Sequence, residues 1–184
     1  MIALQVTLAV WVVFELGLRV RERAQGRGGA ARDRATRVLI AVTIGVAVAL
    51  AAVAASRATE SQIGGAYRAA GVIVMWLGLA LRVWAVAALG RAFRTTVEVD
   101  PGQAVVAVGP YRRVRHPSYS GLLLIVIGCG LASGNWLALA VCAVLPLAAL
   151  VRRIHVEEAE LVRVLGDRYR AYQAQTKRLI PGIW

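Results

Sequence analysis

AAGVIVMWLGLALRVWAVAAL, residues 69–89, is a run of 21 residues carrying a single charge, Arg82. At about 1.5 Å of rise per residue it spans about 30 Å as a helix, the thickness of a bilayer's hydrocarbon core. Residues 1–20 and 38–56 are similarly apolar, so the run is one of a set. Over all 184 residues the chain is 59% hydrophobic and 17% charged, with a mean hydropathy of +0.63. That composition excludes a disordered chain, and the length leaves no room for a second soluble domain. The fold class expected is an all-α integral membrane protein.

The 22 Lys+Arg against 10 Asp+Glu leave a net charge of +12. In a soluble domain that excess would suggest nucleic acid. Here every basic residue except Lys177 is Arg, and the arginines cluster just outside the apolar runs, where membrane topology places positive charge. Nucleic acid is therefore excluded as a partner, and membrane lipids are expected. Cys129 and Cys142 each sit inside an apolar run without ligand spacing for zinc, so both are expected to be buried and no metal is called for.

Seven Arg lie between Arg19 and Arg37, against only Glu22 and Asp33. The charge follows the first apolar run, so that run reads as an uncleaved helix with its N-terminus outside. The loop around Gly26 to Gly29 then lies in the cytoplasm, 57–68 outside, and the Arg-bearing connection 90–118 in the cytoplasm. Segments 121–132 and 136–151 are short, and Pro146 interrupts the second, so a tilted or incompletely crossing hairpin is expected around the turn Ser133-Gly134-Asn135. From Arg152 the apolar run gives way to a helix with acids and bases mixed. About five transmembrane segments result, in a single structural domain made of a two-helix region, 1–68, and a core, 69–184. The C-terminus is placed in the cytoplasm and the whole chain in the inner (plasma) membrane.

Glu15 and Arg82 are ionisable residues inside apolar spans. Either they pair across the first and third helices, or Arg82 snorkels while Glu15 pairs with Arg19 at i,i+4. Snorkelling reach of the interface favours the second.

Two polar clusters flank the hairpin. Gly109-Pro110-Tyr111-Arg112-Arg113-Val114-Arg115-His116-Pro117-Ser118-Tyr119-Ser120-Gly121 sets three Arg, two Tyr and a His against the start of an apolar helix. Pro117 suits a first helical turn, leaving amides at 118–121 free to point at an anion. An interfacial belt binding lipid phosphate would explain the arginines equally well. In the second cluster, Arg153 and Glu157 share one helix face at i,i+4, and Glu158 points about 100° away. Such a face complements an amino-acid headgroup, although an ordinary surface ion pair has the same spacing.

The ordered set Gly109-Pro110-Tyr111, Arg115-His116-Pro117-x-Tyr119-x-Gly121, an apolar hairpin, Glu157-Glu158-x-x-Leu161, Gly166-x-x-Tyr169-x-x-Tyr172 and Arg178-x-x-Pro181 resembles the isoprenylcysteine carboxyl methyltransferase family over roughly residues 70–184. The resemblance implies an integral-membrane enzyme that moves a methyl group from S-adenosyl-L-methionine to the carboxylate of an isoprenylcysteine-like or other lipid-like small molecule. It further implies a cytoplasmic cofactor pocket formed by the connection and the C-terminal helix. Matched by position, Gln103, Ala104, Val105 and Val106 look like a strand-like stretch against the cofactor. Tyr111, His116, Pro117, Ser118, Tyr119 and Glu157 look like further cofactor-binding residues. Arg153 resembles the acceptor-side arginine, so Arg153 and Glu157 are the expected catalytic pair. The chain departs from eukaryotic members at Thr96 and Ala104. A phospholipid N-methyltransferase, a membrane reductase using a nicotinamide cofactor and a non-enzymatic lipid-binding protein remain as alternatives.

Overall fold

The computed structural model describes residues 2–24, 31–56, 65–90, 102 and 104–184. Among these, six α-helices form: α1 (Ile2–Ala24), α2 (Ala31–Ser56), α3 (Gly65–Leu89), α4 (Pro117–Ser133), α5 (Trp136–Leu165) and α6 (Asp167–Gln175). The loops expected around Gly26 to Gly29, over most of 57–68 and through Arg91, Arg94 and Thr96 lie outside the described residues, as does Gln103.

Helices α1, α2, α3 and α5 are long and apolar enough to cross a membrane, whereas α4 is apolar but has only 17 residues. The expected hairpin is present. Gly134 closes α4 in the left-handed region at φ 76°, and Asn135 caps α5 by accepting from the amides of Leu137 and Ala138 at 2.9 and 3.1 Å. Its second arm differs from expectation. Pro146 does not interrupt it: α5 is one helix of 30 residues that runs from the apolar segment into the polar residues after Arg152. Proline removes one backbone donor, but Pro146 is buried in the bundle, where neighbouring helices stabilise the helix around it.

Helix α4 is the centre, packed against α2, α3 and α5. Its tightest seam is with α3. Gly71 and Gly78 on α3 face Gly128 and Gly121 on α4, so the helices run antiparallel. A Cβ at Gly78 would lie 2.7 Å from the Gly121 carbonyl oxygen, and one at Gly128 would lie 2.6 Å from that of Gly71. Only bare backbone fits, which is how small residues let apolar helices approach where no hydrophobic force drives them together. Met75, Leu79, Leu122, Ile125 and Val126 fill the space beside the seam.

Each outer helix has one inward stripe. On α2 it is Ile40, Ile44, Ala47 and Ala51, with Thr36 at its polar end; Val38, Val42, Val46, Leu50 and Val53 face outward. On α1 the inward stripe is Leu4, Trp11 and Leu18. The outward faces of α1, α2 and α3 are covered in exposed Val, Leu, Ile and Trp, a surface that fits lipid and not water. The chain is an integral membrane protein.

Glu15 and Arg82 reverse the expectation drawn for them. Glu15 does not turn to Arg19; its two oxygens take Arg82 Nε at 2.5 Å and Nη2 at 2.9 Å across α1 and α3. The Trp11 indole also donates to Glu15, at 3.1 Å. Arg82 Nη1 donates to the Ser118 hydroxyl and carbonyl at 2.8 and 3.1 Å, so the guanidinium has no reason to snorkel.

The seam predicts opposite signs for one substitution type. Gly78→Ala should lower the thermal unfolding midpoint in detergent, because overpacking against backbone costs about 1–3 kcal/mol. Gly45→Ala, with nothing within 4 Å of its added carbon, should leave the midpoint unchanged or raise it.

Candidate active site

The polar residues gather at one end of the bundle. There the C-terminal ends of α1 and α3 meet the N-terminal ends of α2 and α4 and the polar half of α5.

Residues 113–116 and 177–178 run parallel to each other in a short ladder. Lys177 N donates to Arg113 O at 3.1 Å, Arg115 N to Lys177 O at 2.7 Å and His116 N to Arg178 O at 3.0 Å. The Ser120 hydroxyl adds a bond to Leu179 O at 2.6 Å. This ladder ties the chain's last residues to the start of α4 and aims three side chains at Glu158. Arg115 Nε reaches that carboxylate at 2.7 Å, Arg178 Nε at 3.0 Å and His116 Nε2 at 3.2 Å. Arg115 Nη1 binds the carbonyls of Gln173 and Thr176 as well. Arg178 stacks over the Trp184 ring. Glu158 is buried, and a buried carboxylate is tolerable only when cations and hydrogen bonds satisfy it this completely.

A second group lies one residue away along α5. The Tyr119 hydroxyl donates to Glu157 Oε2 at 2.8 Å and accepts from Arg153 Nε at 3.2 Å. Arg153 Nη1 donates to the Thr36 hydroxyl at 2.7 Å. The direct Arg153 to Glu157 approach is 3.9 Å, so the phenol carries the connection that the i,i+4 spacing suggested. Arg153 is only 2% exposed, while the Glu157 side chain is 27% exposed. The pair is therefore no ordinary surface ion pair. The rings of His116 and Tyr119 stack at 5.6 Å and 12°, joining the two groups.

Tyr111 sits buried in a short 3-10 turn, Gly109–Arg112, with its carbonyl accepting from the Tyr172 hydroxyl at 2.7 Å. Burial, reinforced by the nearby Glu157 charge, pushes the Tyr111 phenol up, and burial pushes that of Tyr172 up to about 12. Both remain O–H donors at neutral pH.

The structure thus brings together Arg153, Glu157, Tyr119, His116 and Ser118, and places Tyr111 within electrostatic reach of Glu157. Pro117 is buried in the first turn of α4. Ala104 is exposed and Val105 and Val106 are half-buried, in irregular backbone and not in a strand. The amides expected to be free after Pro117 are already used at Tyr119 and Ser120, since both donate to His116 O, at 3.0 and 3.1 Å. Sequence reasoning missed the Glu158 hub and its Arg115 and Arg178 partners, Thr36, and the Arg82 to Ser118 contact. The adjacent acids Glu157 and Glu158 were the signal at hand: two carboxylates about 100° apart on a helix need two different sets of partners.

Comparisons with known proteins show the family to which the chain belongs. Residues 71–163 match the isoprenylcysteine carboxyl methyltransferase (ICMT) family. The match takes in the α3–α4 seam, His116, Tyr119, Arg153 and the two glutamates, and it ends before α6. The chain is 30% identical to the protein-S-isoprenylcysteine O-methyltransferase of Schizosaccharomyces pombe, over 64% of this chain and 50% of that protein. It is 29% identical to protein-S-isoprenylcysteine O-methyltransferase B of Arabidopsis thaliana, over 61% of this chain and 58% of the relative. An uncharacterized protein of Bacillus subtilis matches at 29% over 47% of the chain and 56% of its own length. The chain spans about half the length of the curated relatives it matches. Among solved structures, the eukaryotic intramembrane Ras methyltransferase superposes with a TM-score of 0.61 at 27% identity, over 80% of this chain and 52% of that one. With the family matched across half of the chain and the same fold recurring in that structure, the chain belongs to the isoprenylcysteine carboxyl methyltransferase family.

Proposed function

We propose that the protein is an integral-membrane methyltransferase that moves a methyl group from S-adenosyl-L-methionine to the carboxylate of a lipophilic acceptor, isoprenylcysteine-like or otherwise lipid-like. One observation carries this reading: a buried arginine and a partly exposed glutamate joined through one phenol, at the polar end of a bundle whose sides face lipid. The relatives' names support it, as protein-S-isoprenylcysteine O-methyltransferases.

The residues fit such a cofactor. Glu157 Oε2 is held by Tyr119, while Oε1 has no hydrogen bond among the described residues and can take the ammonium of an amino-acid headgroup. We assign Tyr111, His116, Pro117, Ser118 and Tyr119 to the same cofactor site, together with Ala104, Val105 and Val106 and with Gln103, which lies outside the described residues. When bound, the cofactor supplies an electrophilic methyl group on a sulfonium. Nothing in the transfer to a carboxylate requires a proton to be removed. The protein's work is then to hold and desolvate the acceptor, and orientation of this kind supplies several kcal/mol of a barrier. Arg153 is fixed at Nε by Tyr119 and at Nη1 by Thr36, so its plane is set before an acceptor arrives. Because it is buried, a carboxylate drawn to it sheds water, which leaves the anion a better nucleophile. An acceptor with an apolar tail reaches this position from the lipid side without crossing bulk water.

In the same reading residues 1–68 form an N-terminal two-helix region and 69–184 the methyltransferase core. The N-terminus faces outward, and the site faces the cytoplasm across the plasma membrane. A reporter fused after Arg37 or at Trp184 should read cytoplasmic and one at Gly64 external; positions 37 and 64 on one side would overturn the topology.

Calorimetric titration with S-adenosylhomocysteine tests the cofactor half. Wild-type protein should bind it and not NADPH, and the reverse result would favour a reductase. Glu157→Gln should weaken binding about tenfold or more, the loss expected for one charged hydrogen bond, with little change in unfolding midpoint. Glu158→Gln should instead lower the midpoint, since it leaves Arg115, His116 and Arg178 facing a neutral amide. Arg153→Lys should keep cofactor affinity within a few-fold yet lose most methyl transfer, because an ammonium cannot reproduce the planar grip. Full transfer by Arg153→Lys would remove Arg153 from the acceptor side.

A further inference from the structure

The family match begins at residue 71, so α1 and α2 lie outside it. Each nevertheless delivers one polar side chain to the polar end of the bundle. Thr36 is buried at 5% exposure, at the end of an otherwise apolar stripe of α2, and its hydroxyl accepts from Arg153 Nη1 at 2.7 Å. Glu15 is the counterpart on α1. Its carboxylate takes two nitrogens of Arg82, and the third grips Ser118 at both hydroxyl and carbonyl. Ser118 is the neighbour of Tyr119, whose phenol links Arg153 to Glu157.

A helix needs neither group merely to sit in lipid. The Thr36 hydroxyl and the Glu15 carboxylate both cost free energy at positions where valine or leucine would cost none, so their partners explain their presence. A guanidinium swings on a long flexible stem, and a bond to a second helix sets its plane. Glu15 does this in bidentate fashion for Arg82 and Thr36 does it for Arg153.

We propose that Glu15 and Thr36 are positioning residues for the acceptor side of the site. Thr36 acts through Arg153, and Glu15 acts through Arg82 and Ser118 on Tyr119. Helices α1 and α2 are then part of the transfer machinery and not an anchor alone. This inference rests on the methyltransferase reading above.

The full chain, purified in detergent, is assayed for methyl transfer from S-adenosyl-L-methionine to a panel of prenylated-cysteine and fatty carboxylates. S-adenosylhomocysteine affinity and the unfolding midpoint are measured on the same preparations. Thr36→Val keeps the shape and removes the acceptor oxygen. It should lower kcat/KM for the acceptor about tenfold, the effect of one hydrogen bond to a charged group, with cofactor affinity and midpoint near wild type. Thr36→Ser should restore the rate. Glu15→Gln should lower kcat in the same way. Thr43→Val is the control on α2, because among the described residues the Thr43 hydroxyl bonds only its own helix, at Leu39 and Ile40; it should match wild type. A wild-type chain that neither transfers methyl to any acceptor nor binds S-adenosylhomocysteine would overturn the functional reading, and the inference with it. Active wild type with Thr36→Val and Glu15→Gln at wild-type kcat and KM would overturn the inference alone. So would losses that only follow a fallen midpoint and that Thr36→Ser fails to rescue.

Discussion

Contact between bare backbone at Gly71, Gly78, Gly121 and Gly128 sets the geometry on which the site depends. Helices in lipid gain nothing from hiding apolar side chains from each other, so close approach must come from shape. The four glycines bring α3 and α4 near enough that Arg82, one turn beyond Gly78, reaches the first turn of α4. A Cβ at Gly121 would lie 2.8 Å from the Arg82 backbone nitrogen, so the seam and the arginine's placement are one constraint. Any residue larger than glycine at 78 or 121 would shift Ser118 and Tyr119 along with the helix that carries them.

With that register set, the charges at the polar end arrange themselves by a simple rule. Among the described residues, no buried charge there stands without an opposite charge or a fixed dipole. Glu158 is surrounded by Arg115, His116 and Arg178, and Arg82 by Glu15 and Ser118. Glu157 is the contrast: it is partly exposed, and the side chain that donates to it is a neutral phenol. Two adjacent glutamates therefore do different jobs. Glu158 satisfies cations within the fold, whereas Glu157 keeps one carboxylate oxygen without a hydrogen bond among the described residues.

The class of fold was legible because an apolar run of about twenty residues matches the thickness of a bilayer and suits little else. The Ser133-Gly134-Asn135 turn was legible from its turn-forming residue types. Pro146 misled because its cost depends on neighbours that a sequence does not display; buried among helices, α5 runs straight through it. Spacing and the family resemblance single out the residues around Tyr119, Arg153 and Glu157, and the structure joins these three by hydrogen bonds. Glu15 and Arg82 were misjudged, since snorkelling and cross-helix pairing differ only in which helices are adjacent. Thr36 gave no signal at all, because one threonine in an Ala/Val-rich helix is ordinary until Arg153 is seen beside it. The heptad spacing of the glycines was present in the sequence, but it has meaning only once the two segments are known to face each other.

The continuity of α5 has a mechanical consequence. Its first half is locked into the bundle through Ala138, Cys142 and Pro146, and its second half carries Arg153, Glu157 and Glu158. A break at Pro146 would have left the site on a separate helix, free to tilt against α4. A single continuous helix instead joins the part packed in the membrane core to the two carboxylates and the arginine. The ladder of 113–116 with 177–178 ties in the start of α4, so the two neighbours of Tyr119 are held from different sides, Ser118 by Arg82 of α3 and Ser120 by Leu179. Support of that kind suits the methyl transfer proposed above, in which alignment, and not proton transfer, is what the protein would have to supply.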